Sequence, residues 1–319
     1  MDPQALREII LNLPNQLTAD LKFVGREGLG AAERFILCGM GGSALAGGLC
    51  RTYLPTLDLL IHRDYGLPRV PDYFLTSSRL ILSSYSGNTE EVLDTLQLAT
   101  ARGLKVAVMT SGGKLLEEAV RLNLPHVVLP AGLPPRFAVG YAFVGLAQLL
   151  GHEAMLAEAR QAATLVTPAN LETTGQELAR LVDSKIPIIY ASTVNLALAY
   201  QWKISFNETG KIPAFANVLP EANHNELAAS DPHFIHIFLR DSTDDERVKR
   251  RFEVLKEMFK LQGVPVLEVE LAGASALAKI FNAVTLASWT AYQVALNARR
   301  DPVNVPTIEE FKSRVRVAS

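Results

Sequence analysis

Cysteine is scarce: the 319-residue chain has two, Cys38 and Cys50. That excludes a disulfide scaffold or a cysteine-based zinc module and fits a reducing compartment. Neither sign of charge dominates, because 31 Lys and Arg stand against 33 Asp and Glu for a formal net charge of −2. No global field is therefore available to hold nucleic acid or an anionic membrane. Long apolar runs are also missing. The stretch from Phe137 to Gly151 is interrupted by Gln148 and falls short of the roughly 20 residues that cross a bilayer, so it reads as a buried helix. The N-terminus carries Asp2, Arg7 and Glu8 and lacks a basic start leading into a clean apolar run and cleavage site. A cytoplasmic protein without nucleic-acid or membrane partners is expected. A P-loop is excluded as well, since Gly112-Gly113-Lys114 lacks the distal glycine of that motif.

What is present is a globular composition, 49% hydrophobic and 20% charged. Short β-branched runs at Phe35–Gly39, Leu57–His62, Arg79–Ser83, Lys105–Thr110 and His126–Leu129 alternate with longer amphipathic stretches, which predicts an α/β fold. After an Ala-rich helical bridge from His152 to about Asn170, a second series begins: Ile186–Ala191, Phe215–Leu219, His233–Leu239 and Val264–Leu271. The matching order of strand and helix is a weak structural repeat. Two similar subdomains follow, 1–152 and 153–319, each a parallel sheet flanked by helices.

The halves differ at their strand-to-helix turns. The first has Gly-rich turns at Gly39–Ser43, Ser84–Thr89 and Ser111–Lys114, whereas the turn after Leu239 reads Arg-Asp-Ser-Thr-Asp-Asp. Its three carboxylates would repel a phosphate, so an anion site is expected in the first half only. Cys38-Gly-Met-Gly-Gly-Ser43 places backbone N–H groups at the start of a helix, where the helix dipole faces an anion. Gly39, Gly41 and Ala44 also fit the loose dinucleotide pattern, with Asp58 or Asp64 available for a ribose. The next turn discriminates, because Ser84-Tyr-Ser-Gly-Asn-Thr89 brings three hydroxyls to one helix N-terminus. Ser84, Ser86 and Thr89 can all donate to a phosphate monoester without adding charge. N-capping by Ser86 or Thr89 accounts for one hydroxyl well and three poorly.

These two turns resemble those of the sugar isomerase (SIS) superfamily. Phe206-Asn-Glu-Thr-Gly-Lys211, Pro213-Ala214, Leu219-Pro-Glu-Ala-Asn-His-Asn-Glu226, Pro134-Pro135-Arg136 and Asp301-Pro302 followed by Ile308 and Lys312 narrow the resemblance. In that order they are similar to the bifunctional phosphoglucose/phosphomannose isomerases. The resemblance implies interconversion of glucose 6-phosphate, and of mannose 6-phosphate, with fructose 6-phosphate through a cis-enediolate, without metal or redox cofactor. It assigns proton shuttling to Glu208, ring opening to His224, the cation beside the enediolate to Arg136, and an assisting role near the ring oxygen to Lys312. Phosphate falls to Gly42, Ser43, Ser84, Ser86 and Thr89. The resemblance also implies a two-fold homodimer in which His224 reaches across the interface.

Each of these residues has a plainer reading. Glu208 is on composition alone a solvated acid, His224 a loop histidine, Arg136 a helix-flanking residue and Lys312 a surface lysine; Glu221 and Glu226 are rival bases. Where many relatives read Asn-Glu-Asn-Ala-Lys, this chain has Asn207-Glu208-Thr209-Gly210-Lys211, and glycine there is expected to shorten the helix. Val305 stands where a small polar residue goes with acceptance of the mannose epimer, which counts against phosphomannose activity. His233 and His236 fall on opposite faces of a strand, so no metal site is expected, and both thiols read as small buried hydrophobes. Two competing functions remain. One is a phosphosugar-binding module without turnover, favoured by saturable binding of fructose 6-phosphate without conversion. The other is an NAD-dependent oxidoreductase, favoured by direct binding of NAD.

Overall fold

The computed structural model describes residues 2–229 and 231–317. Its strands are β1 (Lys22–Val24), β2 (Arg34–Gly39), β3 (Leu59–His62), β4 (Ser78–Ser84), β5 (Lys105–Thr110), β6 (His126–Val128), β7 (Ile186–Ser192), β8 (Phe215–Leu219), β9 (Phe234–Arg240) and β10 (Val266–Glu270). They form two sheets, ordered β1-β6-β5-β4-β2-β3 and β10-β9-β7-β8. All nine strands expected from the sequence are found. The addition is β1, which pairs antiparallel with β6 and makes the first sheet mixed rather than purely parallel. The second sheet is parallel throughout.

The alternation of side chains along each strand divides the core. Phe35 and Leu37 of β2 and Ile81 of β4 face the interior shared by both halves, together with Ile189, Ala191, Ile235 and Ile237 of the second sheet. Their neighbours Ile36, Cys38, Leu80 and Leu82 point to the opposite face of the first sheet, and Tyr190 and Phe238 do the same in the second. This is the period of two expected of strands buried on both faces. Between the sheets run helix Val139–Leu150, the long apolar stretch read as buried, and helix Ala276–Asn297, whose Phe143 and Phe281 rings meet edge-to-face at 5.4 Å.

The expected boundary at 152/153 lies in the turn between helices Val139–Leu150 and Glu153–Leu165. The apolar core nevertheless runs unbroken across it. Moreover, the N-terminal helix Pro3–Leu11 packs Leu6 and Ile10 against Trp289 and Tyr292 of the second half. Arg7 there donates through Nε and Nη2 to Glu172, both at 2.7 Å. No helix among the described residues is long and apolar enough to cross a membrane.

In each sheet one strand has its sequential successors on opposite sides: β3 and β4 flank β2, and β8 and β9 flank β7. Chain order reverses at those points, and the crevice beyond the strands' C-terminal ends is where such sheets bind ligands.

Candidate active site

The first crevice opens beyond β2 and β4. Helix Gly41–Tyr53 follows β2, and helix Glu90–Ala101 follows β4 with Thr89 at its N-cap. Close approach of three turns shapes the crevice. A Cβ on Gly42 would stand 3.3 Å from the carbonyl carbon of Pro135, so glycine lets the first turn lie against the Pro-Pro-Arg segment. Gly87, at φ +69°, lies so close to Gly112 that a Cβ would meet its carbonyl oxygen at 1.7 Å. The third Gly-rich turn therefore buttresses the second, and Lys114 N–H donates to Asn88 Oδ1 at 3.2 Å.

Hydroxyls knit the turns together. Ser43 Oγ accepts from Tyr85 N–H at 3.0 Å, and Ser83 Oγ donates to the Ser43 carbonyl at 2.9 Å. Ser84 and Thr89 hydroxyls share a bond of 2.7 Å, and Gly87 N–H donates to Ser84 Oγ at 3.1 Å. Thr89, though at the N-cap, makes no side-chain capping bond. Its hydroxyl is turned toward Ser84, so capping does not explain it. Ser86 is exposed and accepts from Asn88 N–H at 3.3 Å. Gly42 and Ser43 are half-buried at the start of their helix.

Arg136 sits beside the first turn and is 4% exposed. Its Nε donates to Thr209 Oγ1 at 2.8 Å, its Nη2 to the carbonyls of Pro302 and Val303 at 3.0 and 2.7 Å, and its Nη1 to Glu208 Oε2 at 3.4 Å. Four of the five guanidinium N–H groups are thus committed. The fifth is on Nη1, the end shared with Glu208. Burial pushes the Arg136 pKa down, and Glu208 opposes that shift. A flanking role for Arg136 does not account for a guanidinium buried and oriented by two distant segments of chain, 208–209 and 302–303.

Glu208 belongs to a π-helical turn, Ser205–Gly210, that continues helix Leu196–Ile204. Such widened turns recur at functional sites because the extra residue re-aims side chains. The glycine does not cut the helix short: the π turn runs through Gly210, and the left-handed residue that ends it is Lys211, at φ +59°. Lys211 Nζ donates to the Glu208 carbonyl at 2.6 Å and also to the Asn304 carbonyl. Its pKa is lowered first by burial and then by Arg136. The Glu208 side chain remains 27% exposed toward the crevice, in contrast to 3% for Arg136.

The rival bases are separated by their partners. Glu226 is occupied by the Tyr190 hydroxyl at 2.5 Å and by Asn217 Nδ2. Glu221 is exposed and accepts from Asn225 at 3.3 Å. His224 is exposed at the end of the short 3₁₀ turn Glu221–His224. Lys312 is not joined to the Arg136 group: its ammonium pairs with Glu309 one turn back, at 2.8 Å, with half of its side chain exposed. Val305 is half-buried where helix Pro306–Val317 begins, just beyond the segment held by Arg136 and Lys211.

Sequence reasoning missed Thr209 as the anchor of Arg136 and the 302–304 carbonyls as the cradle for both cations. The signal for the first was present, since Thr209 departs from the relatives' asparagine while still offering an oxygen. Of the two ribose candidates, Asp58 lies before β3, at the end of the sheet away from the crevice, and pairs with Arg34 at 2.8 Å, while Asp64 follows β3 and accepts from Tyr65 N–H at 2.8 Å. His236 is buried between Tyr190 and Phe259, while His233 is exposed beside Asp231. Among the described residues no group of three His, Cys, Asp or Glu could hold a metal. Burial raises the Cys38 thiol to about 12 and the Cys50 thiol further.

Comparison with known proteins identifies the family. Residues 171–315 match the family description of the bacterial phospho-glucose isomerase C-terminal SIS domain. A bifunctional phosphoglucose/phosphomannose isomerase of Thermoplasma acidophilum is 33% identical over 311 residues, 94% of this chain and 95% of that one. Another, from Aquifex aeolicus, is 32% identical over 293 residues, 88% of this chain and 90% of its own. The fold is shared with tagatose-6-phosphate ketose/aldose isomerase from Escherichia coli at a TM-score of 0.69 and 17% identity, over 93% of this chain and 94% of that one. With a buried Arg136 against Glu208 beside two hydroxyl-bearing turns, and relatives of this similarity over nearly the whole length, the chain belongs to the bifunctional phosphoglucose/phosphomannose isomerase family.

Proposed function

We propose that the chain interconverts glucose 6-phosphate and fructose 6-phosphate through a cis-enediolate. Continuity carries this reading: one chain of contacts runs from Ser84 and Thr89 through Ser43 and Gly42 to Arg136 and Glu208. A phosphate held by Gly42, Ser43, Ser84, Ser86 and Thr89 would leave the sugar's reacting end toward Arg136. Glu208 then moves the proton between C1 and C2, and the committed guanidinium steadies the enediolate oxygen without having to reorganise. The single 3.4 Å contact to Arg136 Nη1 sets the Glu208 carboxylate beside the guanidinium without locking it there.

His224 opens the ring, and its exposure in the single chain supports delivery from a partner subunit in a two-fold homodimer. Lys312, on helix Pro306–Val317, assists near the ring oxygen. Val305, with no hydroxyl to hold a water, tilts preference toward glucose over the mannose epimer. The reaction calls for neither metal nor redox cofactor, and two buried thiols suit a cytoplasmic setting. The division at 152/153 is read as two SIS subdomains that share one core.

A coupled assay with glucose 6-phosphate and mannose 6-phosphate tests the reading. Glu208→Gln should retain phosphosugar binding and lose about 10² to 10⁴ in kcat, with solvent deuterium exchange at C2 falling in step. Activity within a few-fold of the parent would move the base to Glu221. Saturable fructose 6-phosphate binding without turnover by the parent protein would favour a binding module.

A further inference from the structure

The second sheet has a crevice of its own where order reverses between β7 and β9, and it is a cavity of about 510 Å³. Each element that builds the first crevice has a counterpart here. The turn after β7, Ser192 to Asn195, stands where Gly39 to Ser43 does, and the Asp241 to Asp245 turn stands where Ser84 to Thr89 does. Tyr53, at the end of the helix after β2, takes the place of the Glu208 turn after β7's helix. Lys279, near the start of helix Ala276–Asn297, supplies the cation in place of Arg136 beside helix Val139–Leu150.

The chemistry of the lining is inverted. Asp241 is 5% exposed and already accepts from Lys279 Nζ at 2.6 Å, from Asn195 Nδ2 at 3.1 Å and from Thr243. Lys279 is thereby neutralised and no longer serves an anion. Asn195 lines the cavity, is 1% exposed, and has an Oδ1 without a hydrogen-bond partner. Asp244 Oδ2 is likewise buried without one. Burial pushes the Asp244 carboxyl up, a bond from Ser192 working against it. Both oxygens are acceptors, and a buried acceptor left without a donor is destabilising. What they lack is donors, which an ionised phosphate group does not bring. The volume lies within the roughly 300–1,000 Å³ of small-molecule sites.

We propose that this cavity is a second ligand site, specific for a donor-rich, phosphate-free small molecule: an unphosphorylated amino-polyol whose ammonium and hydroxyls turn Asn195 and Asp244 toward them. Glucosamine is a suitable probe. Calorimetric titration into the full-length protein should give saturable binding with one site per chain. Asp244→Ala should weaken it at least tenfold while leaving isomerase kcat unchanged. Val248→Trp, which fills the cavity from helix Glu246–Leu261, should weaken it as much without touching a polar group, and serves alone if Asp244→Ala does not fold. Absence of saturable binding, or binding that either folded variant leaves intact, overturns the proposal.

Discussion

The two crevices occupy equivalent places in the two halves and differ in which partner their polar groups still need. At the first, hydroxyls and backbone N–H groups of uncharged turns converge beside Arg136, a cation whose donors are held by carbonyls of the 302–303 segment. At the second, Asp241 and Lys279 neutralise each other and unpaired acceptors remain. Similar strand order provides a crevice in each half, and a handful of turn residues sets the charge and hydrogen-bonding character of its lining. At its own crevice the second half has Lys279 paired with Asp241, while its Glu208 meets Arg136 at the first; in the proposed mechanism Glu208 and His224 are the groups it contributes.

The largest test of that division of labour is a subunit-mixing experiment. Glu208→Gln and His224→Ala should each be nearly inactive alone. In a two-fold dimer whose sites borrow the imidazole, a mixed dimer has one site with both lesions and one with none. Random pairing makes half the dimers mixed, so activity should recover to about a quarter of the parent. A mixture that has demonstrably exchanged subunits and stays inactive would show that His224 acts within its own chain or not at all.

Each sheet carries a buried histidine, but His126 of the first has its Nδ1 at 2.8 Å from the Leu124 carbonyl, whereas the one in the second has no such partner, and acid should test that difference. His236 is 3% exposed, stacked at 4.1 Å on Phe259, with neither ring nitrogen hydrogen-bonded. Burial lowers its pKa to about 4. The unfolded chain, with a histidine pKa near 6.5, binds the proton first. The stability that this neutral ring maintains is thus complete above about pH 6.5 and is lost as pH falls to about 4. Up to about 3 kcal/mol is at stake. His236→Phe should flatten the fall of denaturant midpoint between those pH values. An unchanged acid limb would place the loss in other groups.

How far these features could be read from the chain depended on whether they were local. Nine strands were legible because apolar runs such as Phe35–Gly39 alternate with amphipathic helices. β1 was not: three residues, Lys22–Val24, exposed at both ends, carry too little pattern. The hydroxyl-bearing turn stood out because three hydroxyls crowd six consecutive positions, Ser84 to Thr89. The hold of Arg136 by Thr209, Pro302 and Val303 joins residues more than 70 apart and has no local signature. The packing of Pro3–Leu11 on the far half was hidden for the same reason. Glycine in Asn-Glu-Thr-Gly-Lys read as a helix terminator, because a π turn that places the left-handed residue at Lys211 is decided by tertiary packing.

The smallest effect concerns Thr89, and it separates a phosphate turn from a helix cap. Threonine at an N-cap that bonds the backbone stabilises its helix by about 1 kcal/mol, so Thr89→Val would lower the denaturant midpoint if capping were its role. Here the hydroxyl bonds Ser84 Oγ at 2.7 Å and caps nothing. Valine keeps the shape and the extended backbone, which leaves stability within about 0.5 kcal/mol. It removes one donor to a charged phosphate, a bond of about 1.5 kcal/mol or more, so KM for glucose 6-phosphate should rise about tenfold with little change in kcat. Binding of the unphosphorylated sugar should not change. A hydroxyl substitution at the second crevice, Ser192→Ala, should leave KM where it was, because on the proposed reading that crevice takes no part in holding phosphate. A lowered midpoint with unaltered KM for Thr89→Val would return this turn to a structural role and remove the contrast between the two crevices on which the functional reading depends.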